Sequence, residues 1–154
     1  MALKRHPALQ GYSREHHDEL LLIWKIREGL RKNVLPKRII DFCIHHYDEF
    51  TALHMANEEK YILTKLPESD EDRIKILSDH AEIKEIIQQL SKNTENKDML
   101  TEFADKLEKH IRFEERTFFP KLQIAFSEEL IESMHPIATD LKEPKGWKDS
   151  FWEN

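Results

Sequence analysis

A thirteen-residue segment at positions 54–66 occurs again 56 positions later and carries histidine and glutamate at helical spacing in both copies. The pairs are His54 with Glu58 and His110 with Glu114. On an α-helix, residues four apart lie one above the other on the same face, so each copy directs an imidazole and a carboxylate toward one point. Two such pairs facing each other would supply two nitrogens and two carboxylates able to bridge. That is most of a dinuclear metal site.

A weaker repeat precedes each copy. An offset of 63 aligns His17 with His80, together with an acid two residues on and apolar residues further along. The chain then reads as four helices with a histidine on each. His16 is the alternative to His17 as a ligand, because the apolar residues of the first helix spread around much of its circumference. The alignment favours His17, with Leu20 and Trp24 on its face.

Composition predicts one all-helical domain over 1–154, since charged residues make up 35% of the chain and only three residues are glycine. The net charge of −6 without a basic block argues against nucleic-acid binding. No apolar run approaches the ~18 residues of a membrane span, and the first residues lack the apolar core of a signal peptide. A lone Cys43 excludes an internal disulfide, so we expect a cytoplasmic protein.

Capping and proline signals set the expected boundaries, and the short connections predict antiparallel neighbours. The fold class is therefore all-α, an up-down-up-down four-helix bundle over about 13–126 with a short fifth helix and a C-terminal extension over about 127–154. The expected helices run from Ser13 to about Asn33, from Pro36 to Pro67, from a capping box at Ser69–Asp72 to Lys92, from about Asp98 to Phe126 with a bend at Pro120, and from Ser127 to Pro136.

The candidate ligands lie in apolar stripes, which predicts that they face the core. Buried carboxylates are costly unless they are paired or bound to a metal. Buried His–Glu hydrogen bonds or a partly solvated acidic face are the alternatives, but the repetition of the motif favours a metal. The stripes are Cys43, Tyr47, Phe50, His54, Glu58 and Tyr61 or Ile62 in the second helix, and Leu100, Phe103, Leu107, His110, Glu114 and Phe118 in the fourth.

The ordered set of motifs resembles the hemerythrin-like, or HHE cation-binding, family of non-haem di-iron proteins over roughly 13–122. The motifs are Arg-Glu-His16-His17-Asp, His54-x3-Glu58-Glu, Asp-His80-Ala-Glu and His110-Ile-Arg-Phe-Glu114-Glu-Arg. The resemblance implies two iron ions in the bundle centre, with Glu58 and Glu114 as bridging carboxylates and His17, His54, His80 and His110 as terminal ligands. Oxygen-carrying hemerythrins have a second histidine four residues after that of the third helix, where this chain has Lys84.

Ligand chemistry agrees with iron, because a mixed imidazole and carboxylate set suits Fe, Mn or Zn, whereas Ca or Mg would call for oxygen alone. We expect a protein that binds, senses or reacts with O2, peroxide or a similar small ligand. An iron-storage or iron-donating protein and a metal-free helical interaction module are the alternatives. An enzymatic role, if there is one, would be a di-iron oxidase or peroxidase-type activity.

The C-terminal extension is aromatic, with Trp147, Phe151 and Trp152 close together. We expect it to pack across the bundle and close one mouth of the site. A peptide that docks onto an unknown protein partner is the alternative.

Overall fold

The computed structural model describes residues 3–137 and 141–153, and within these ranges it contains helices and no strand. Three helices are single segments: α1 (Pro7–Arg31), α3 (Glu71–Lys92) and α5 (Glu128–Glu132). The other two, α2 (36–65) and α4 (97–125), are each a run of consecutive helical segments. The prediction of an all-helical chain is confirmed.

Both composite helices contain π-helical turns, in which the backbone hydrogen bond spans five residues and one extra residue enters the turn. The sequence pattern did not predict them. In α2 the segments are α Pro36–His46, π Tyr47–Thr51, α Ala52–Asn57, π Glu58–Ile62 and 3₁₀ Leu63–Lys65; in α4 they are α Lys97–Phe113, π Glu114–Phe118 and α Phe119–Ala125.

The first helix begins two turns earlier than expected. Pro7 occupies the first turn and the Nδ1 of His6 accepts a hydrogen bond from the backbone N–H of Ala8, so His6 is the N-cap. Ser13 lies inside α1, and its hydroxyl donates to the carboxylate of Glu115 instead of capping a helix. The expected start of the bundle at residue 13 is therefore wrong.

The other boundaries lie close to the expected ones. Asp70, rather than Ser69, caps α3 by accepting from the backbone N–H of Arg73. Ser127 caps α5 as expected, accepting from the N–H of Leu130. Pro120 lies within α4 and does not end it. Proline has no N–H to donate to the carbonyl oxygen of Glu115 in the π turn, and the guanidinium of Arg5 donates to that oxygen instead.

The four long helices contact one another in a closed ring, α1 with α2, α2 with α3, α3 with α4 and α4 with α1. Buried apolar side chains form two separate clusters along this ring. The larger contains Ile26, Ile39 and Phe103, and the smaller contains Leu9 and Phe119. Among the described residues, no helix is long and apolar enough to cross a membrane.

The C-terminal extension packs onto the bundle, in part as expected. Phe151 is buried within the larger apolar cluster, where a Cβ added to Gly29 would lie 2.9 Å from its ring. Gly29 is 13 residues beyond His16 on α1, which corresponds to about 20 Å along the axis. Phe151 therefore lies away from the site, whereas Glu143 of the same extension lines a cavity together with Glu15. Closure of a mouth of the site by the extension stays a prediction. Positions 138–140 and 154 of the extension lie outside the described residues.

Candidate metal centre

Four histidines and two glutamates meet inside the bundle between the two apolar clusters. Each is buried, with at most 5% of its surface exposed. Their ligand atoms form two groups, and within each group the atoms lie within 4.8 Å of one another. One group consists of His16, His54, Glu58 and Glu114, and the other consists of Glu58, His80, His110 and Glu114.

The two glutamates belong to both groups. One oxygen of Glu58 lies 3.4 Å from the Nε2 of His54, and its other oxygen lies 3.2 Å from the Nε2 of His80. Oε1 of Glu114 lies 2.9 Å from the Nε2 of His16 and 3.3 Å from that of His110. Each carboxylate thus connects a histidine of one group with a histidine of the other, which is the arrangement that two bridged cations require.

His16, and not His17, enters this cluster, although the alignment of the two repeats favoured His17. His17 is exposed and lies on the outer side of α1, beside Asp18. The reason lies in the face that α1 buries. Trp24, which we placed on the inner face with His17, is 50% exposed, whereas Ile23 is buried. Five of the six predicted residues come together, and the alternative His16 takes the place of the sixth.

The π turns place the two glutamates. Glu58 and Glu114 are each the first residue of a π segment, and their carbonyl oxygens accept hydrogen bonds from the N–H groups of Leu63 and Phe119, five residues on. Such insertions rotate the following turn relative to an α-helix and recur at functional sites. In α4 the guanidinium of Arg5 donates to the carbonyl oxygen of Glu115, at 2.8 Å. The residue five positions after Glu115 is a proline, which has no N–H to offer.

A second layer of carboxylates surrounds the histidines. The Nδ1 of every ring donates to a carboxylate on a neighbouring helix, which fixes the ring orientation and turns Nε2 toward the shared glutamates. The four bonds form a closed circuit around the bundle. They are His16 to Glu115 at 2.7 Å, His54 to Glu15 at 2.7 Å, His80 to Glu59 at 2.8 Å and His110 to Asp79 at 3.0 Å.

None of these four carboxylates was among the predicted site residues, but the sequence holds a signal for Glu15 and Asp79. The signal for them is an acid directly before a histidine, in Glu15-His16 and again in Asp79-His80, with an offset of 64 rather than 63. That alignment pairs the correct histidines as well. The apolar matches at an offset of 63 led us to prefer that alignment over the offset of 64.

The carboxylates change the protonation of the rings. Burial by itself would lower the pKa of His110, but Glu114 and Asp79 raise it to about 10. The pKa values of His16 and His54 are raised well above the ordinary value, again by adjacent carboxylates and against the effect of burial. Without a metal the buried rings therefore carry protons that neutralise the carboxylates. A cation bound by Nε2 would displace those protons.

Several buried atoms at the centre have no hydrogen-bond partner among the described residues. Buried polar atoms are almost always satisfied, so a converging set of unsatisfied nitrogens and oxygens fits a bound cation. The imidazole and carboxylate groups present therefore suit a transition-metal ion such as Fe, Mn or Zn. The atoms are both oxygens of Glu58, Oε2 of Glu114, Oε1 of Glu19 and the Nε2 atoms of His54, His80 and His110.

Comparison with protein families decides what kind of site this is. The model of the hemerythrin HHE cation-binding domain matches residues 10–122 of this chain. The chain belongs to this hemerythrin family. No curated protein and no solved structure matches it.

Lys84, which stands where oxygen-carrying hemerythrins have a further histidine, is exposed in this hemerythrin-like chain. It lines a cavity of about 420 Å³ together with Glu59, Tyr47 and His80. His80 is thus the histidine of the second group that borders this cavity.

Proposed function

We propose that this protein holds two iron ions in a dinuclear centre and uses them to bind or react with O2, peroxide or a similar small ligand. The observation that carries the proposal is the sharing of Glu58 and Glu114 between two otherwise separate groups of histidines. The first ion would take His16 and His54, and the second would take His80 and His110. Membership of a cation-binding family supports the same assignment.

The donor set restricts the choice of cation, and the proposed reaction with O2 or peroxide favours iron within it. Imidazole together with carboxylate suits Fe, Mn and Zn, and of these iron supplies electrons to O2 or peroxide. The protein's own contribution is to orient the four rings through their Nδ1 bonds and to exclude bulk water from the buried centre. We also infer that the four long helices follow the up-down-up-down order, since each connection between them is short.

The burial of the centre distinguishes this function from the alternatives. A protein that donates labile iron needs accessible ligands, but the six residues are at most 5% exposed. A metal-free interaction module would have no need of six ionisable side chains buried together at one point, because taking them out of water is costly. A retained cofactor therefore agrees best with the structure.

Anaerobic reconstitution with ferrous iron, followed by exposure to O2, tests the proposal. We expect about two ions per chain and a visible absorption change on adding O2 that the metal-free chain does not show. His17→Ala is the matched control for His16→Ala, since the two residues are adjacent on α1. A chain that binds iron without any change on adding O2 or peroxide would contradict the proposed ligand class.

A further inference from the structure

The two metal positions are not equivalent, because one of them has an additional carboxylate. Glu19 lies on α1 three residues after His16 and is 1% exposed. Its Oε1 lies 3.6 Å from the Nε2 of His54, the atom that faces the centre, and has no hydrogen-bond partner among the described residues. Among those residues, it forms an ion pair with the ring of His54 and with no lysine or arginine.

The other half of the bundle has no such group. The offset of 64 that relates His16 to His80 relates Glu19 to Ile83, which is fully buried and apolar. A carboxylate and an isoleucine therefore occupy corresponding places beside the two pairs of histidines. The near-symmetry of the rest of the centre makes this difference the principal distinction between its halves.

A cation explains the position of Glu19 better than a structural role does. A buried carboxylate is strongly unfavourable unless it is closely compensated, and the ring of His54, whose Nδ1 already donates to Glu15, lies 3.6 Å from Oε1 of Glu19 and forms no hydrogen bond with it. Two donors bound to one ion at about 2.1 Å each lie roughly 3 to 4 Å apart. The separation of 3.6 Å between Oε1 of Glu19 and Nε2 of His54 is in that range.

We propose that Glu19 is a seventh metal-ligating residue, belonging only to the position between His16 and His54, and that it leaves the position between His80 and His110 as the one open to an exogenous ligand. This inference rests on the proposed dinuclear centre. The cavity bordered by His80 and Lys84 lies on the open side, which is the side that a ligand must reach.

Release of iron to a chelator tests the assignment. The full chain is loaded anaerobically with ferrous iron and then mixed with an excess of a ferrous chelator. We expect two phases of equal amplitude in the wild type, with the slow phase from the position that includes Glu19. Glu19→Gln should accelerate the slow phase at least tenfold and leave the fast phase unchanged. Ile83→Glu should slow the fast phase.

Asp18→Asn is the matched control, since it removes a carboxylate from the preceding residue of α1, which lines a cavity on the outer side of the bundle. It should leave both phases unchanged. The melting temperature of the metal-free chain gives a second readout. Because Oε1 of Glu19 makes no hydrogen bond, Glu19→Gln should leave the melting temperature equal or raised, whereas a purely structural Glu19 would make it fall.

Azide binding to the loaded protein locates the open position. We expect one azide per wild-type chain, and a loss of azide binding in Ile83→Glu. Two ions released at unchanged rates from Glu19→Gln would overturn this inference and leave the proposed function standing. A wild-type chain that retains no iron would overturn both.

Discussion

The centre of the bundle and its apolar clusters are built on opposite principles. In the larger cluster, side chains such as Phe103 and Ile39 exclude water and make few demands on orientation. In the layer between the clusters, buried rings and carboxylates are oriented by specific hydrogen bonds, and several of their atoms remain unsatisfied. The clusters therefore stabilise the fold, while the buried charges of the layer between them must be balanced by protons on the rings or by a bound cation.

This contrast explains why a small bundle tolerates so many buried ionisable groups. Apolar burial on both sides of the layer holds α1 to α4 in contact whether or not a cation is present. The helices then keep Glu58 and Glu114 close to the histidines. Changes in the clusters should affect folding, and changes in the layer should affect metal binding.

The largest effect on folding is expected for Phe103→Ala. Phe103 is fully buried in the larger cluster, so the change should reduce the free energy of unfolding by about 3 to 5 kcal/mol. The loss should be similar with and without iron, as measured by urea denaturation. Ile124→Ala, at an 80% exposed position, is the control and should change stability by less than about 0.5 kcal/mol. A loss confined to the iron-loaded protein would contradict the division between cluster and layer.

Glu114→Gln and Glu58→Gln should reduce metal binding in the layer and leave the apolar clusters folded. Each removes a charged donor shared by both positions, so we expect less than one ion per chain after reconstitution. The metal-free variants should still fold, as judged by helical circular dichroism. Glu102→Gln, which is exposed on α4, should bind as much iron as the wild type. Full iron occupancy in both site variants would show that these glutamates do not bridge.

Substitution of His16 and of His17 compares a residue of α1 inside the layer with its neighbour on the outer side of the helix. His16→Ala should lower the iron content by about one ion, since only one position uses this ring. His17→Ala should leave the iron content unchanged, because its ring is exposed on the outer side of α1. Iron determination by a colorimetric assay on both purified variants decides between them. Loss of iron from His17→Ala, with unchanged iron content in His16→Ala, would show that His17 is the ligand.

A smaller effect is expected in the outer carboxylates. Glu15→Gln keeps the shape of the side chain but weakens the bond that orients His54, so iron affinity should fall about 10- to 100-fold. Two ions should still bind at saturating iron, which separates this residue from the shared glutamates. Competition with a chelator measures the affinity. An unchanged affinity would mean that packing alone orients the ring of His54.

The sequence predicted the parts of this molecule that depend on local periodicity. The spacing of His54 with Glu58 and of His110 with Glu114 indicated that they share a face, and the structure brings them together. The boundaries of α3 and the start of α5 agreed within a residue or two because caps are local signals, whereas α5 ends at Glu132, before the expected Pro136. Pro7 is also such a signal and could have given the start of α1.

The parts that depend on tertiary packing were not predictable in the same way. The choice between His16 and His17 depends on which face of α1 is buried. Trp24 was assigned to the buried face because it is apolar, but it is exposed. The π turns begin at Glu58 and Glu114, the same position in both copies of the repeated segment, but helical spacing along one chain does not predict an inserted residue. The partners of the ring nitrogens lie on other helices, so no spacing along one helix reveals them.

A crystal structure of the iron-loaded protein, with diffraction measured at the iron absorption edge, tests the central claim most directly. Our account predicts two anomalous peaks inside the bundle, one beside His16 and His54 and the other beside His80 and His110, with Glu58 and Glu114 between them. A single peak, or peaks only at the protein surface, would contradict the dinuclear centre.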